Sequence, residues 1–434
     1  MLNFAHGAVQ WLTSQVLNTT IPVTGLGFTP KALRFYWVGL QSNSPTNANS
    51  QAVNQRRGVG FASSTTSRAS VGTTSLNASG NSDCGSIWSN TACVITVSAA
   101  GAVDGLLDIS SFDTNGFTLI VDDVTPQNIT VFWEAWGGSD ITDVTIGAIA
   151  EPAATGQVFY TANGFSITPG GRARDCCVMF AGVQSVNASG VGQAQDSGLH
   201  VGFAAPGLAD DLPGQVTVCG NSDDASGTMD TDGYNQTGEC LSMIVIAGGN
   251  PNARALFNVS GPNEFFLNWL ARATTNRRSI YMAIAGGQWQ AGNTTIAGNT
   301  LNSTSTLSAL PFNIKGISLI GAMKTQSTAA TSTVQDRIGF GSGLSTTSRN
   351  SAAVLDTNNV GASEINTSIN YSSVLVYPSN AGALQTAYDI NVIGANQIQL
   401  ITDTAGGVAN EWIGYLAFGD KKVTAGTIGH PFIS

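Results

Sequence analysis

The chain has 434 residues, a net charge of −10 and only 10% charged residues, with 42% hydrophobic residues and 51 glycines. A core is easily buried, but no basic excess exists to release counterions from a nucleic-acid backbone or to hold an anionic membrane surface. Low charge, abundant Gly and polar positions filled by Ser, Thr and Asn are the composition of an all-β protein with many turns.

The N-terminal stretch "MLNFAHGAVQWLTSQ" has no basic segment followed by an apolar run, so no signal peptide is expected. No apolar stretch is long enough for a membrane helix. The first strong strand signal is "FTPKALRFYWVGLQS" at 28–42, where Pro precedes an apolar run that ends near Gln-Ser. Related segments stand at 167–185 and 310–327.

"GVGFASSTTSR" follows at 58–68 and "IGFGSGLSTTSR" at 338–349, with "LHVGFAAPG" at 199–207 between them. Phe61, Phe203 and Phe340 align at spacings of 142 and 137 residues, a domain-sized period. The string lacks the Lys and following helix of a P-loop and the third Gly of a dinucleotide fingerprint. In the middle copy its hydroxyls and Arg give way to "AAPGLADDLPG", whose acids repel phosphate. Gly60, Gly202 and Gly339 are therefore read as sites of strand twist or close backbone approach, and the Phe residues as core anchors.

Each copy closes with a paired signal. The strands "GFTLIVDD", "EFFLNWLA" and "QIQLITDT" precede "NITVFWEAWGG", "RSIYMAIAGG" and "EWIGYLAFGD". Aligning the latter places Val131 with Ile280 and Ile413, Trp133 with Met282 and Tyr415, and Ala135 with Ile284 and Ala417. Alternate residues form one apolar face, as a strand period of two requires. The other face, with Phe132, Tyr281 and Leu416, is apolar too, so a neighbouring layer should cover it. The expected fold is all-β, with three tandem antiparallel β-sandwich (jelly-roll-like) domains at 1–138, 139–287 and 288–420 and a C-terminal tail at 421–434. The tail resembles the opening of a fourth unit, and docks on its own domain or on a neighbouring subunit.

Candidate chemistry is thin. The histidines are His6, His200 and His430, with no spacing that makes a triad or a metal pair. Cys84, Cys93, Cys176, Cys177, Cys219 and Cys240 include no Cys-x-x-Cys. Cys84–Cys93 and Cys219–Cys240 could each close a local disulfide, but a chain without an export signal is expected to keep them reduced. The loop at 221–239 gathers Asp223, Asp224, Asp230, Asp232 and Glu239, oxygen ligands of the kind Ca²⁺ takes, without the spacing of an EF-hand. Among Trp37, Trp133, Trp136, Trp269, Trp289 and Trp412, Trp136 beside Gly137 and Gly138 is the best candidate for an exposed, sugar-stacking ring. No catalytic residue, cofactor site or metal site is assigned, and the chain is expected not to be an enzyme.

The succession "VTGLGFTPKALRFYWVG", "RRGVGFASS", "LLDISSFDTNGFTLIVDD" and "VFWEAWGG" resembles a repeat found in virion proteins of tailed bacteriophages. The first unit, 23–138, carries the resemblance best, and its motifs are structural. The resemblance implies a β-sandwich virion protein made in the host cytoplasm and released by lysis. The leading expectation is a head decoration or cement protein on the capsid exterior, clamping the major capsid protein or other virion proteins, with a homo-oligomer as a further option. The alternative is a tail or fibre adhesin that binds host-surface glycans. A polysaccharide-active enzyme is a third and weaker reading.

Overall fold

The computed structural model describes residues 1–39, 47–51, 54–165, 175–185, 187–206, 214–244, 251–261, 263–273, 277–326, 335–358 and 360–421. Every regular element among them is a β-strand. The first unit carries β1 (Leu2–Trp11), β2 (Thr20–Thr24), β3 (Pro30–Gly39), β4 (Ala48–Gln51), β5 (Gln55–Ala62) and β6 (Arg68–Ser75). It continues with β7 (Cys84–Ser89), β8 (Val94–Val97), β9 (Val103–Asp113), β10 (Gly116–Asp123) and β11 (Ile129–Gly138). A large antiparallel sheet runs β1-β11-β3-β5-β6-β7, and a small sheet runs β2-β10-β9-β8.

Two further pairs of sheets repeat this order. In the second unit the large sheet runs from Ile141–Ala150 through Arg278–Gly286, Cys176–Val183, Leu199–Ala205 and Gly214–Ser222 to Thr231–Thr237. In the third it runs from Gln288–Ile296 through Glu411–Lys421, Phe312–Gly321, Asp336–Gly343 and Arg349–Asp356 to Ile365–Asn370. Between the large and small sheets of each unit lies a sandwich core, holding Trp37, Phe117 and Trp133 in the first, Phe180 and Phe265 in the second, and Tyr377 and Tyr388 in the third.

The outer faces of the three large sheets are also apolar, and they bury one another. One continuous cluster joins Phe4, Tyr36, Phe61 and Phe132 to Met179, Phe203 and Met282, and these to Phe340, Trp412 and Phe418. That shared core explains why β11 is apolar on both faces: Val131, Trp133 and Ala135 point into their own sandwich, and Phe132 and Trp136 into the common centre. The three units therefore surround an axis of pseudo-threefold symmetry.

Their connections are cyclic. From the first unit, β4 leaves its own sheets and pairs with Ile365–Asn370 of the third. From the second, Gln193–Ala194 pairs with β7 of the first. From the third, Lys324 Nζ donates to the Gly233 carbonyl at 2.7 Å and Gln326 Nε2 to Gln236 Oε1 at 2.6 Å, on the second unit's edge strand. Loops at one end of the axis interlock in the same cycle. Ala78 N–H donates to Ser363 O (2.7 Å), Ser82 N–H to Ser226 O (2.8 Å) and Met229 N–H to Val360 O (2.9 Å).

Pairing register corrects two of the sequence alignments. Gly7 stands opposite Trp133, Gly147 opposite Tyr281 and Gly292 opposite Tyr415. The residue equivalent to Trp133 is thus Tyr281 rather than Met282, and Ile280, Met282 and Ile284 face the common centre. Likewise Ala62 pairs with Arg68 as Gly343 pairs with Arg349. Phe340 is therefore equivalent to Val59, two residues from Phe61. A two-residue slip preserves the face, so Phe340 still reaches the common core.

Candidate functional site

The opening glycine motif is an assembly device. A Cβ on Gly60 would overlap the Cys93 carbonyl oxygen, one on Gly202 that of Cys240, and one on Gly341 that of Val374. The strand of the large sheet is pressed directly onto backbone entering the small sheet, and only Gly allows it. The third-unit member of this set is Gly341; Gly339 meets the Tyr377 and Leu375 side chains instead.

The hydroxyls and Arg of the same strings are also committed. Ser64 Oγ accepts the N–H groups of Thr66 (3.2 Å) and Ser67 (2.9 Å), and Ser345 Oγ those of Thr347 (3.2 Å) and Ser348 (2.9 Å). Arg68 pairs with Asp108 at 2.7 Å and donates to the Thr91 carbonyl at 2.9 Å. Arg349 pairs with Asp389 and donates to the Ser372 carbonyl, both at 2.5 Å. In the second unit Leu256 occupies the place of these Asp residues, opposite Asn268 as Asp108 is opposite Ile120. Most of its turn, 207–213, lies outside the described residues.

Near the interlocked loops, where the strands end, all three units contribute to one buried polar junction. Arg57 Nη1 donates to Asp336 Oδ1 at 3.0 Å, and its Nη2 reaches both Asp336 Oδ2 and the Ser197 carbonyl. Gln55 Nε2 donates to Asp356 Oδ1 at 2.7 Å, and Ser222 Oγ donates to Asp356 Oδ2 at 2.5 Å. Burial, with the Asp336 charge beside it, pushes Asp356 up to about 7; burial also raises Asp336 against the pull of Arg57. A second buried contact joins Arg34 to Glu134 at 3.0 Å, and Ser318 of the third unit donates to Glu134 at 2.7 Å. These groups are sealed from solvent, so the arrangement fixes the register of three sheets rather than meeting a ligand.

The remaining candidates are placed as follows. His6 Nε2 lies 3.1 Å from Ser348 Oγ and His200 Nε2 lies 2.9 Å from Ser279 Oγ; burial lowers them to about 4 and about 3. Both are neutral; His6 bridges the first and third units, His200 faces its own unit's sandwich, and His430 lies outside the described residues. All six cysteines are buried, and none is joined to another in a disulfide. Cys93 and Cys240 occupy equivalent places, whereas Cys84 and Cys219 lie on non-equivalent strands.

The front of the acidic loop is spent on the interlocked end. Asp224 Oδ1 accepts the Cys84 N–H at 2.8 Å, and Asp223 Oδ1 accepts the Asp230 N–H at 2.9 Å. Glu239 accepts from Ser242 at 2.8 Å and Arg254 at 3.1 Å. Asp232 is buried with neither oxygen hydrogen-bonded, and burial, then Asp230, pushes it up to about 7. Among the described residues no three His, Cys, Asp or Glu side chains are grouped to hold a metal ion. Trp136 is fully buried in the common core, correcting its reading as an exposed ring; the five other candidate tryptophans are buried as well. The adjoining glycines that suggested exposure instead close the strand against Thr29 and Met1. The tail beyond Lys421 lies outside the described residues.

No family model matches the chain, and no curated protein matches it. Solved structures of PNGF-II in two crystal forms align over 90% of this chain and 98% and 100% of theirs, at 8% identity and TM-scores of 0.22 and 0.21. A likeness that weak carries no argument about fold or activity.

Proposed function

We propose that the chain is a non-enzymatic structural protein of a bacteriophage virion, bound to the exterior of the head, where it decorates and cements the capsid. The observation that supports this most is the cyclic exchange of segments among three units around a common core. It makes one polypeptide into a rigid block with three related outward faces. Such a block matches a threefold or local threefold position of a shell, where three capsid subunits meet and internal pressure pulls them apart. Each unit then adds interface to one subunit, and a single chain avoids the association cost that three separate chains would meet. The chain is made in the host cytoplasm in this reading, and its partners are the major capsid protein or neighbouring virion proteins.

The test is its place and effect on the particle. Head-bound density at threefold positions, a high copy number, and heads that break at lower temperature or in low salt when the protein is missing are expected. Density confined to the tail tip, with purified protein blocking adsorption, would replace this reading with the adhesin.

A further inference from the structure

The first unit's junctions with its two neighbours are not equally filled. At the end of the axis opposite the interlocked loops, each unit pairs one residue of its first strand with one of its last: Phe4 with Trp136, Val144 with Ile284, and Trp289 with Phe418. The four aromatic rings pack together, with Phe4 and Phe418 centroids 4.5 Å apart and Trp289 and Phe418 5.4 Å apart. Phe4 and Trp289 are buried, whereas Val144 is only partly so. An open cleft of about 470 Å³ lies beside Val144, between the first and second units. At the junction of the third and first units, the equivalent seam is bridged by His6 and Ser348, and Leu344 stands where the first unit has Ser63.

The cleft has two kinds of wall. Ile141 and Val144 on one side and Phe112 on the other are apolar. The turn between β5 and β6 lines it with hydroxyls at Ser63, Ser64 and Thr65. Lys31 and Asp143 add one charge of each sign. Lys31 Nζ donates to the Ile141 carbonyl at 2.7 Å and Asp143 Oδ1 accepts the Val144 N–H at 2.6 Å, so both are held at the cleft by backbone.

We infer that this cleft is a saccharide site, taking a neutral sugar residue of a glycan. The volume falls in the range of small-ligand sites. A pyranose has an apolar C–H face, which suits Phe112 and the aliphatic wall, and a rim of hydroxyls that both donate and accept. The Asp143 carboxylate accepts from such hydroxyls, the Lys31 ammonium donates to them, and the Ser63 and Thr65 hydroxyls do either. The paired charges leave no net attraction for an ion. Phosphate is disfavoured further because the Thr66 and Ser67 amides are taken by Ser64 and Arg68 is locked to Asp108. The inference does not depend on where the protein sits on a particle.

The test uses the purified full chain and a panel of neutral hexose and N-acetylhexosamine oligosaccharides, followed by calorimetry and ligand-observed NMR. Saturable binding by at least one panel member is expected. Asp143→Ala should weaken it about tenfold, the worth of one charge-assisted hydrogen bond. Val144→Phe, which supplies the ring that the sister units carry, should abolish it. Thr65→Trp covers the mouth from an exposed turn position and should abolish it too, which keeps the test decisive if Val144→Phe fails to fold. Absence of binding by the whole panel, or binding by Asp143→Ala and Thr65→Trp equal to that of the parent, overturns the assignment.

Discussion

A single missing methyl group, repeated three times, holds each sandwich closed. Gly60, Gly202 and Gly341 each let a carbonyl of the strand entering the small sheet sit where a Cβ would be. Substituting any of them by Ala forces the two sheets apart or shifts the backbone, and overpacking of this kind costs about 1–3 kcal/mol or more. Chemical denaturation should show such a loss for Gly60→Ala and Gly202→Ala. Gly80→Ala, where a Cβ meets open space, should stay within about 0.5 kcal/mol of the parent. The recurrence of the Gly-Phe string was legible in the sequence, as was its lack of a phosphate-loop pattern. Its register was not: Gly339-Phe340-Gly341 offers two ways to match one Gly-Phe pair, and only the turn that ends at Arg349 chooses between them. The role of Arg68 was hidden for a different reason, since its partner Asp108 lies far along the chain and Leu256 replaces that partner in the unit whose sequence also lacks the Arg.

At the scale of elements, the exchanged segments are the least strand-like pieces of the chain. The stretches Ala48–Gln51 and Gln193–Ala194 have no apolar alternation, and each lies at a sheet edge, with Asn49 and Ala194 exposed. Sequence patterning reports burial, so it found the central strands and overlooked these. Their contribution is backbone pairing that caps an otherwise open edge. Gln195 shows how it can be measured: its N–H donates to the Cys84 carbonyl at 3.2 Å and its Nε2 donates to Ser86 Oγ at 2.6 Å. Gln195→Pro removes both, and should cost about 1–3 kcal/mol. Hydrogen exchange should then speed up along β7 before it changes in the sandwich core of the first unit. Unchanged exchange at Gly85 and Ser86 would mean that the exchanged segment rests on the edge without securing it. The Trp136 misreading belongs to this scale as well. A ring next to two glycines resembles a loop tip until a second sheet is placed over that face, and the covering sheets come from units that no local pattern brings together.

For the whole molecule, the junction of Arg57, Asp336 and Asp356 makes stability depend on pH, and the sign follows from which state holds the proton. Asp356 is raised to about 7 by burial and by Asp336, so the folded protein keeps a proton that the unfolded chain releases near the ordinary carboxylate value. Stability from this group is full in acid and is lost as pH rises to about 7. Asp232 and Glu411, each pushed by burial to about 7, act in the same direction. The neutral, buried His6 and His200 act oppositely, since the unfolded chain binds their protons first as pH falls below about 6.5. Below that point the two contributions offset each other; from about 6.5 to 8 the three carboxylates near 7 outweigh what remains of the histidine change, and the free energy of unfolding should fall. Asp356→Asn keeps an oxygen for Gln55 and carries no charge, so it should stabilise the protein at pH 8 and reduce the slope between 6.5 and 8. Asp336→Asn strips the buried Arg57 of its counter-charge and should destabilise by about 3–5 kcal/mol at every pH tested. If Asp356→Asn leaves the slope unchanged, the proton is held elsewhere, and Asp232, next to Lys324 from the third unit's exchanged segment, becomes the group to replace.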